Sequence, residues 1–260
     1  MQGRFCLILE YNMKLNDFFA AHPKVAIAFS GGADSAYLLY AAKQYNAEAQ
    51  AYYVKSAFQP QFELDDALRL SNELNIPMRI LTVDVLSSMV IAENPSDRCY
   101  HCKRMIFEAI QHAAAEDGFS VLLDGTNASD HAGDRPGMRA VRELSVLSPL
   151  RECGLTKTKI RRLSQEAGLF TWDKPAYACL ATRIPTGERI TEEILEATEA
   201  AEDFLFSLGL TDFRIRRMGE AAKIQVPAGQ IDKIINNRER IATALKRYYS
   251  AVLLDLETRE

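Results

Sequence analysis

The chain has 260 residues, 48% of them hydrophobic and 25% charged, with a formal net charge of −4. That length and mix suit a globular protein with one large domain, or one medium and one small. No apolar run approaches the ~20 residues of a membrane span, and Phe5–Leu9 is shorter than the ~7–15 residues of a signal-peptide core, so a cytoplasmic protein with no membrane partner is expected. The balance of 31 basic against 35 acidic residues argues against a dedicated nucleic-acid binder.

In chain order, Met13 opens a first helical pattern, which makes residues 1–12 an upstream extension. Strands are predicted at Val25–Phe29, Ala49–Val54, Met78–Val83 and Val121–Leu123, and helices at Ser35–Tyr45, Pro60–Leu74 and Arg98–Ala115. Such alternation means βαβ units and a parallel sheet. Gly118 is placed as a helix stop. Ser129–Leu150 reads as loop, followed by a helix near Thr158–Ala167, and Lys157, Lys159, Arg161 and Arg162 read as its solvated basic face. Trp172–Thr191, with Pro175, Pro185 and Gly187, has no clear period and is read as an ordered connection that carries function. After it come a helix at Thr191–Leu208, strands at Phe213–Arg217 and Lys223–Val226, one helix at Gln230–Lys246 and a last strand at Ala251–Leu256. The expected architecture is α/β: a Rossmann-like parallel-sheet domain over 13–170, a functional connection over 171–190 and a smaller α+β domain over 191–260.

The most specific motif is Ser30-Gly31-Gly32-Ala33-Asp34-Ser35, set between the apolar strand and a helix. Paired glycines let backbone N–H groups close on an anion at the positive end of a helix. Ser30 and Ser35 add hydroxyl donors, and Asp34 is a carboxylate suited to Mg2+ on bound phosphates. A Walker lysine is absent, and the hexapeptide resembles the pyrophosphate loop of the PP-loop ATPases, which split ATP between its α and β phosphates. Asp124-Gly125-Thr126-Asn127 follows another strand and is expected at the same sheet edge, where Gly125, Thr126 and Asn127 would meet nucleotide or substrate.

Five cysteines, Cys6, Cys99, Cys102, Cys153 and Cys179, make an odd count that favours thiol or metal chemistry over disulfides. Cys99 and Cys102 fall in a first helical turn beside Arg98 and Lys103, with Ser96 or Asp97 as cap, a setting that favours thiolates. A thioredoxin-like pair conflicts with the nucleotide loop, and structural zinc wants a fourth ligand. Cys6 and Cys153 read as unremarkable. A further reading is an iron–sulfur cluster on Cys99, Cys102 and Cys179 with one iron free of protein, able to hold hydrosulfide.

Taken together, VAIAFSGGADS, NPSDRCYHCK, DGTNASDHAGDRPGMRA, SPLRECGLTKTKIRRLS, WDKPAYACLATRIPTGERIT and FRIRRMGEAAKIQV resemble the LarE family of ATP-dependent sulfur transferases, over about Met13 to Leu254. The resemblance implies a homo-oligomer using ATP and Mg2+. Its implied substrate is a pyridinium dicarboxylate mononucleotide, whose carboxylates are adenylylated and converted to thiocarboxylates by sulfide or another sulfur donor. It further implies a three-cysteine, [4Fe-4S]-type member with Cys99, Cys102 and Cys179 as ligands. Cys179, Arg183 and Lys103 would serve at the reacting centre. Arg214 and Arg216, on one face of a strand, would bind a phosphate. Gln225 stands where family members often have an acid, which leaves any metal or subunit contact of that acid open. The other classes to be weighed are a PP-loop tRNA thiolase, a PP-loop amidotransferase, for which no glutaminase segment is visible, and an ATP- or redox-sensing module.

Overall fold

The computed structural model describes residues 14–130 and 136–259. The extension at residues 1–12 and Cys6 lie outside these residues. Helix α1 (Leu15–Ala21) leads into β1 (Lys24–Ala28), α2 (Ala33–Gln44), β2 (Glu48–Lys55), α3 (Gln61–Leu74) and β3 (Met78–Thr82). A short helix α4 (Met89–Ala92) then precedes α5 (Arg98–Glu116) and β4 (Leu122–Leu123). The four strands form one parallel sheet in the order β3-β2-β1-β4. Alternate residues of β1 and β2 face opposite layers. Val25, Ile27, Ala51 and Tyr53 pack with α1, α2 and α3. Ala26, Tyr52 and Val54 pack with Phe107, Ile110 and Ala113 of α5. The fold is therefore α/β and Rossmann-like, and every β-strand of this sheet ends at one functional edge.

The 129–150 stretch departs from the loop reading: it holds α6 (Pro136–Glu143) and runs into α7 (Pro149–Glu152). Gly137 explains the close fit of α6. A Cβ there would lie 2.9 Å from Cδ of Lys103, so only glycine lets α6 seat against that side chain on α5. Helix α8 (Lys157–Glu166) follows, capped by the Thr156 hydroxyl, which accepts from the Lys159 N–H. In the connection, Leu180–Arg183 forms a single 3-10 turn.

The second sheet has α9 (Glu192–Ser207) against β5 (Arg214–Met218), β6 (Ala221–Gln225) and β7 (Ala251–Leu254), with β5 antiparallel and β7 parallel to β6. The single helix expected over Gln230–Lys246 is two: α10 (Ile231–Asn236) and α11 (Arg238–Leu245). Asn237 divides them with φ −107° and ψ 10°. Asn236 and Asn237 are poor helix formers, so the chain breaks where propensity is lowest. Ala201, Leu205, Phe213, Ile215 and Ile224 form the core of this unit. A third apolar cluster, with Phe58, Val85, Ile91, Leu180, Ile184 and Leu195, joins it to the edge of the parallel sheet. No helix among the described residues is long and apolar enough to cross a membrane.

Candidate active site

The phosphate loop leaves β1 and enters α2 at the functional edge. Gly31 has φ +73°, and a Cβ on it would lie 2.8 Å from the Glu63 carbonyl oxygen, so this turn demands glycine. Ser30 and Ser35 meet through their hydroxyls at 3.2 Å, and the Ser30 N–H donates to the Ser35 hydroxyl. Asp34 Oδ2 pairs with Lys157 Nζ at 2.7 Å, whereas Oδ1 is sealed from solvent without a partner. An orphaned carboxylate oxygen beside a phosphate loop is the donor a hard cation such as Mg2+ takes, so the residues present fit that ion.

A cavity of about 350 Å³ opens over this loop, lined by Ser30, Gly32, Asp34, Ser35, Lys103, Gly125 and Thr126, with Phe29, Val54, Ile106 and Phe107 as apolar wall. Gly125 belongs here by close approach: a Cβ would lie 2.9 Å from the Ser35 nitrogen. Asp124 accepts from the Ser148 hydroxyl at 2.6 Å and the Thr126 hydroxyl at 2.5 Å, which fixes the turn. Asn127 has a different place. It is buried and its Oδ1 accepts from the Ser129 N–H, so it shapes the turn without lining the cavity.

The thiols lie one turn further along α5. Arg98, nearly buried, donates to the Asn94 side chain and, at 3.0 Å, to the Ala181 carbonyl, tying the start of α5 to the connection. Asn94 in turn donates to the Pro185 carbonyl at 2.8 Å. These bonds bring Cys102 and Cys179 into the same apolar cluster. Burial, with Cys179 and Cys99 adding their repulsion, pushes the Cys102 thiol up to about 12. Cys179 is raised too, by burial first, with Arg98 opposing and Cys99 reinforcing the shift. The expectation of ready thiolates is thus corrected for these two: desolvation outweighs the helix end. Cys153 packs against the core of the large sheet, and burial raises it to about 11. No group of three or more His, Cys, Asp or Glu side chains among the described residues is suited to one metal ion.

The three arginines expected at substrate are engaged with the connection. Arg183 is fully buried, donating from Nε to Glu202 at 2.8 Å and from Nη1 to the Ala178 carbonyl at 2.8 Å. Arg214 donates to the Ala176 carbonyl and sits 5.1 Å over the Tyr177 ring; burial, with Arg183 and Arg259 nearby, lowers it to about 10. Arg216 donates to the Thr182 carbonyl at 2.9 Å and to Gln225 at 2.5 Å. None of the three lines the cavity over the phosphate loop. They clamp the strip 176–183 that carries Cys179.

Comparison with known proteins fits this geometry. A PP-loop domain model matches residues 8–144. An uncharacterized protein of Synechocystis is 34% identical, with 94% of this chain and 92% of that protein aligned. The pyridinium-3,5-bisthiocarboxylic acid mononucleotide synthase of Lactiplantibacillus plantarum is 33% identical over 90% of this chain and 86% of its own length. The chain belongs to the LarE family of PP-loop proteins. A tRNA-specific 2-thiouridylase of Thermotoga petrophila is more distant, 24% identical over 58% of this chain and 54% of that enzyme.

Within this LarE-family fold, several site residues were hidden from the sequence. Lys157, assigned to a solvated face, reaches the phosphate loop through Asp34. Glu202 holds Arg183 from a helix read only for its capping and periodicity. Arg98 and Asn94 position the thiols through contacts more than eighty residues apart in sequence, which no local pattern reveals.

Proposed function

We propose that the protein is an ATP-dependent sulfur transferase that adenylylates a substrate carboxylate and converts it to a thiocarboxylate, with a pyridinium dicarboxylate mononucleotide as substrate. The observation that carries this reading is the shared helix α5: its first turn bears Cys99 and Cys102, and its next turns bear Lys103, Ile106 and Phe107, which line the cavity over the phosphate loop. Activated acid and sulfur would meet along one helix face. Similarity to a synthase named for the bisthiocarboxylic product supports the same substrate class.

A carboxylate oxygen attacks the α-phosphorus of ATP; the bond to the bridging oxygen breaks, and pyrophosphate leaves. The Ser30–Ser35 backbone and Lys103 neutralise the charge that gathers on the phosphates. Hydrosulfide then attacks the acyl carbon, AMP leaves with the shared oxygen, and the S–H proton passes to solvent. Mg2+ held by Asp34 would supply Lewis-acid stabilisation of the phosphates. A [4Fe-4S] cluster on the thiolates of Cys99, Cys102 and Cys179 would supply an iron without a protein ligand as a seat for hydrosulfide. The thiols fit it in that they influence one another and share apolar walls, and a cluster spreads its sulfurs over about 6–7 Å, wider than one ion demands. Arg214 and Arg216 would position the strip bearing Cys179 and, from that face, a substrate phosphate.

The chain is read as two domains, 13–170 and 191–260, with 171–190 between them; the separate cores of the two sheets support this. A cytoplasmic homo-oligomer is part of the proposal. The free thiols and the exposed Ile235, Leu253 and Leu256 on the small unit support it. The test is product analysis with the dicarboxylate mononucleotide, ATP and sulfide under anaerobic conditions. AMP, pyrophosphate and a thiocarboxylate are expected; ADP and phosphate, or thiolation of tRNA alone, would overturn the reading.

A further inference from the structure

Lys174 belongs to the connection, five residues before Cys179, yet its ammonium leaves that segment and ends on the nucleotide side. Nζ donates to the Gly31 carbonyl of the phosphate loop at 3.2 Å and pairs with Asp66 of α3 at 2.6 Å. The pair is largely shielded, the lysine side chain being 14% exposed. Phe62 lies below it, with Nζ 5.4 Å from the ring centroid, and the same ring meets Tyr177 edge-on at 4.9 Å. The backbone of Lys174 is held as well, its carbonyl accepting from Arg161 of α8 at 3.0 Å.

The strip that follows is fastened at its other end to the small unit. Arg214 and Arg216 take the carbonyls of Ala176 and Thr182, and Arg183 takes Glu202. Cys179 therefore sits on a tether whose near end is bonded to the backbone of the loop that receives ATP. Gly31 is the residue whose carbonyl must turn when its neighbours' N–H groups close on phosphate, because carbonyl and N–H of adjacent residues belong to one peptide plane.

We propose that Lys174 is a positioning residue that couples occupancy of the phosphate loop to the seating of Cys179, so that ATP binding sets the exposure of the sulfur strip. This rests on the proposed sulfur-transfer function for its purpose, but the coupling is a property of the fold and is measurable without turnover. By linkage, a contact that responds to ATP at Gly31 changes the equilibrium of the strip, and the strip changes ATP affinity by the same factor.

The experiment uses the full chain with reduced thiols and a non-hydrolysable α,β-methylene ATP analogue with Mg2+. Iodoacetamide labelling of Cys179 is timed by peptide mass spectrometry, with and without the analogue. In the unaltered protein the analogue is expected to change the labelling rate by at least about fivefold, the lower end of ordinary coupling factors. Lys174→Met is expected to bring that change to within about twofold while still binding the analogue in calorimetry, and Lys174→Arg to restore it, since a guanidinium keeps the charge and donors. Asp66→Asn should weaken the coupling part-way by freeing the ammonium. A Lys174→Met protein that binds the analogue and keeps the full change in labelling overturns the proposal, as does an unaltered protein whose Cys179 ignores the analogue. If Lys174→Met fails to fold by circular dichroism, Lys174→Arg and Asp66→Asn decide by the same rate comparison. Failure of sulfur transfer in product analysis is a separate outcome and leaves this result standing.

Discussion

Arg183 and Glu202 form an ion pair sealed from solvent, each side chain 1% exposed, with Nε and Oε1 2.8 Å apart. Glu202 also accepts from the Tyr177 hydroxyl and the Ile215 N–H, and Arg183 donates to the Ala178 carbonyl. One carboxylate thus anchors the connection, α9 and β5 together. Replacing Glu202 by Ala leaves a buried guanidinium without its counter-charge, which costs about 3–5 kcal/mol. Urea denaturation should show that loss, with Glu202→Gln less affected because it keeps one acceptor. An unchanged midpoint for Glu202→Ala would show that the pair does not hold the two units together.

Asp34 and Lys157 supply the next prediction. Asp34→Ala should abolish formation of AMP and pyrophosphate while the melting temperature stays near that of the parent, because its Oδ1 serves no fold contact among the described residues. Lys157→Ala removes a charge-assisted bond worth about 1.5–3 kcal/mol, so the KM for ATP should rise by roughly one to two orders of magnitude. Steady-state assays of pyrophosphate release measure both, and full activity in Asp34→Ala would remove the phosphate-loop assignment.

The parts legible in sequence are those governed by local rules. Strand–loop–helix order, the glycines of the phosphate loop and the Thr191 cap follow from periodicity and turn chemistry, and β1, α2 and α9 fall within two residues of expectation. What the sequence concealed depends on tertiary contact. Pro136–Glu143 has helix-poor flanks, and it is helical because Gly137 lets it seat against Lys103. Arg183 and Lys157 look alike as cations in sequence, but one is buried on Glu202 and the other reaches Asp34. Thiol ionisation was misjudged for the same reason, since burial of Cys102 and Cys179 cannot be read from a helix position.

Glu63 sets a pH dependence. It is buried in the first turn of α3, and burial pushes its carboxyl up to about 7, with Asp66 reinforcing and Lys174, Arg183 and Arg214 opposing the shift. In the unfolded chain the group titrates near ~4.3, so between about 4.3 and 7 the native state binds the extra proton. Stability from this residue therefore falls as pH rises through that window, by up to about 3 kcal/mol. Glu63→Gln should gain on the parent protein by that order at pH 8 and differ little at pH 4.5. Chemical denaturation at the two pH values reads the difference, and parallel behaviour of the two proteins would place the Glu63 carboxyl back in its ordinary range.

The thiols give the last prediction. If Cys99, Cys102 and Cys179 hold a [4Fe-4S] cluster, anaerobically prepared protein should contain about four irons and four acid-labile sulfides per chain. Substituting any one of the three by Ala should lose most of both. Cys153→Ala should retain them, because Cys153 packs against the core of the other layer, away from the cluster of residues that holds Cys102 and Cys179. Arg98→Met offers a stricter comparison, since it keeps all three sulfurs but removes the bond to the Ala181 carbonyl that brings the two segments together. It should bind iron more weakly than the parent while Lys103→Met, which alters only the cavity wall, keeps the full complement. Iron and sulfide content equal in Arg98→Met and the parent would mean that the thiols meet without that bond. Absence of iron from every preparation, with zinc or free thiols in its place, would leave sulfur delivery to Cys179 itself, and the mass of the chain after one turnover would then fall by one sulfur.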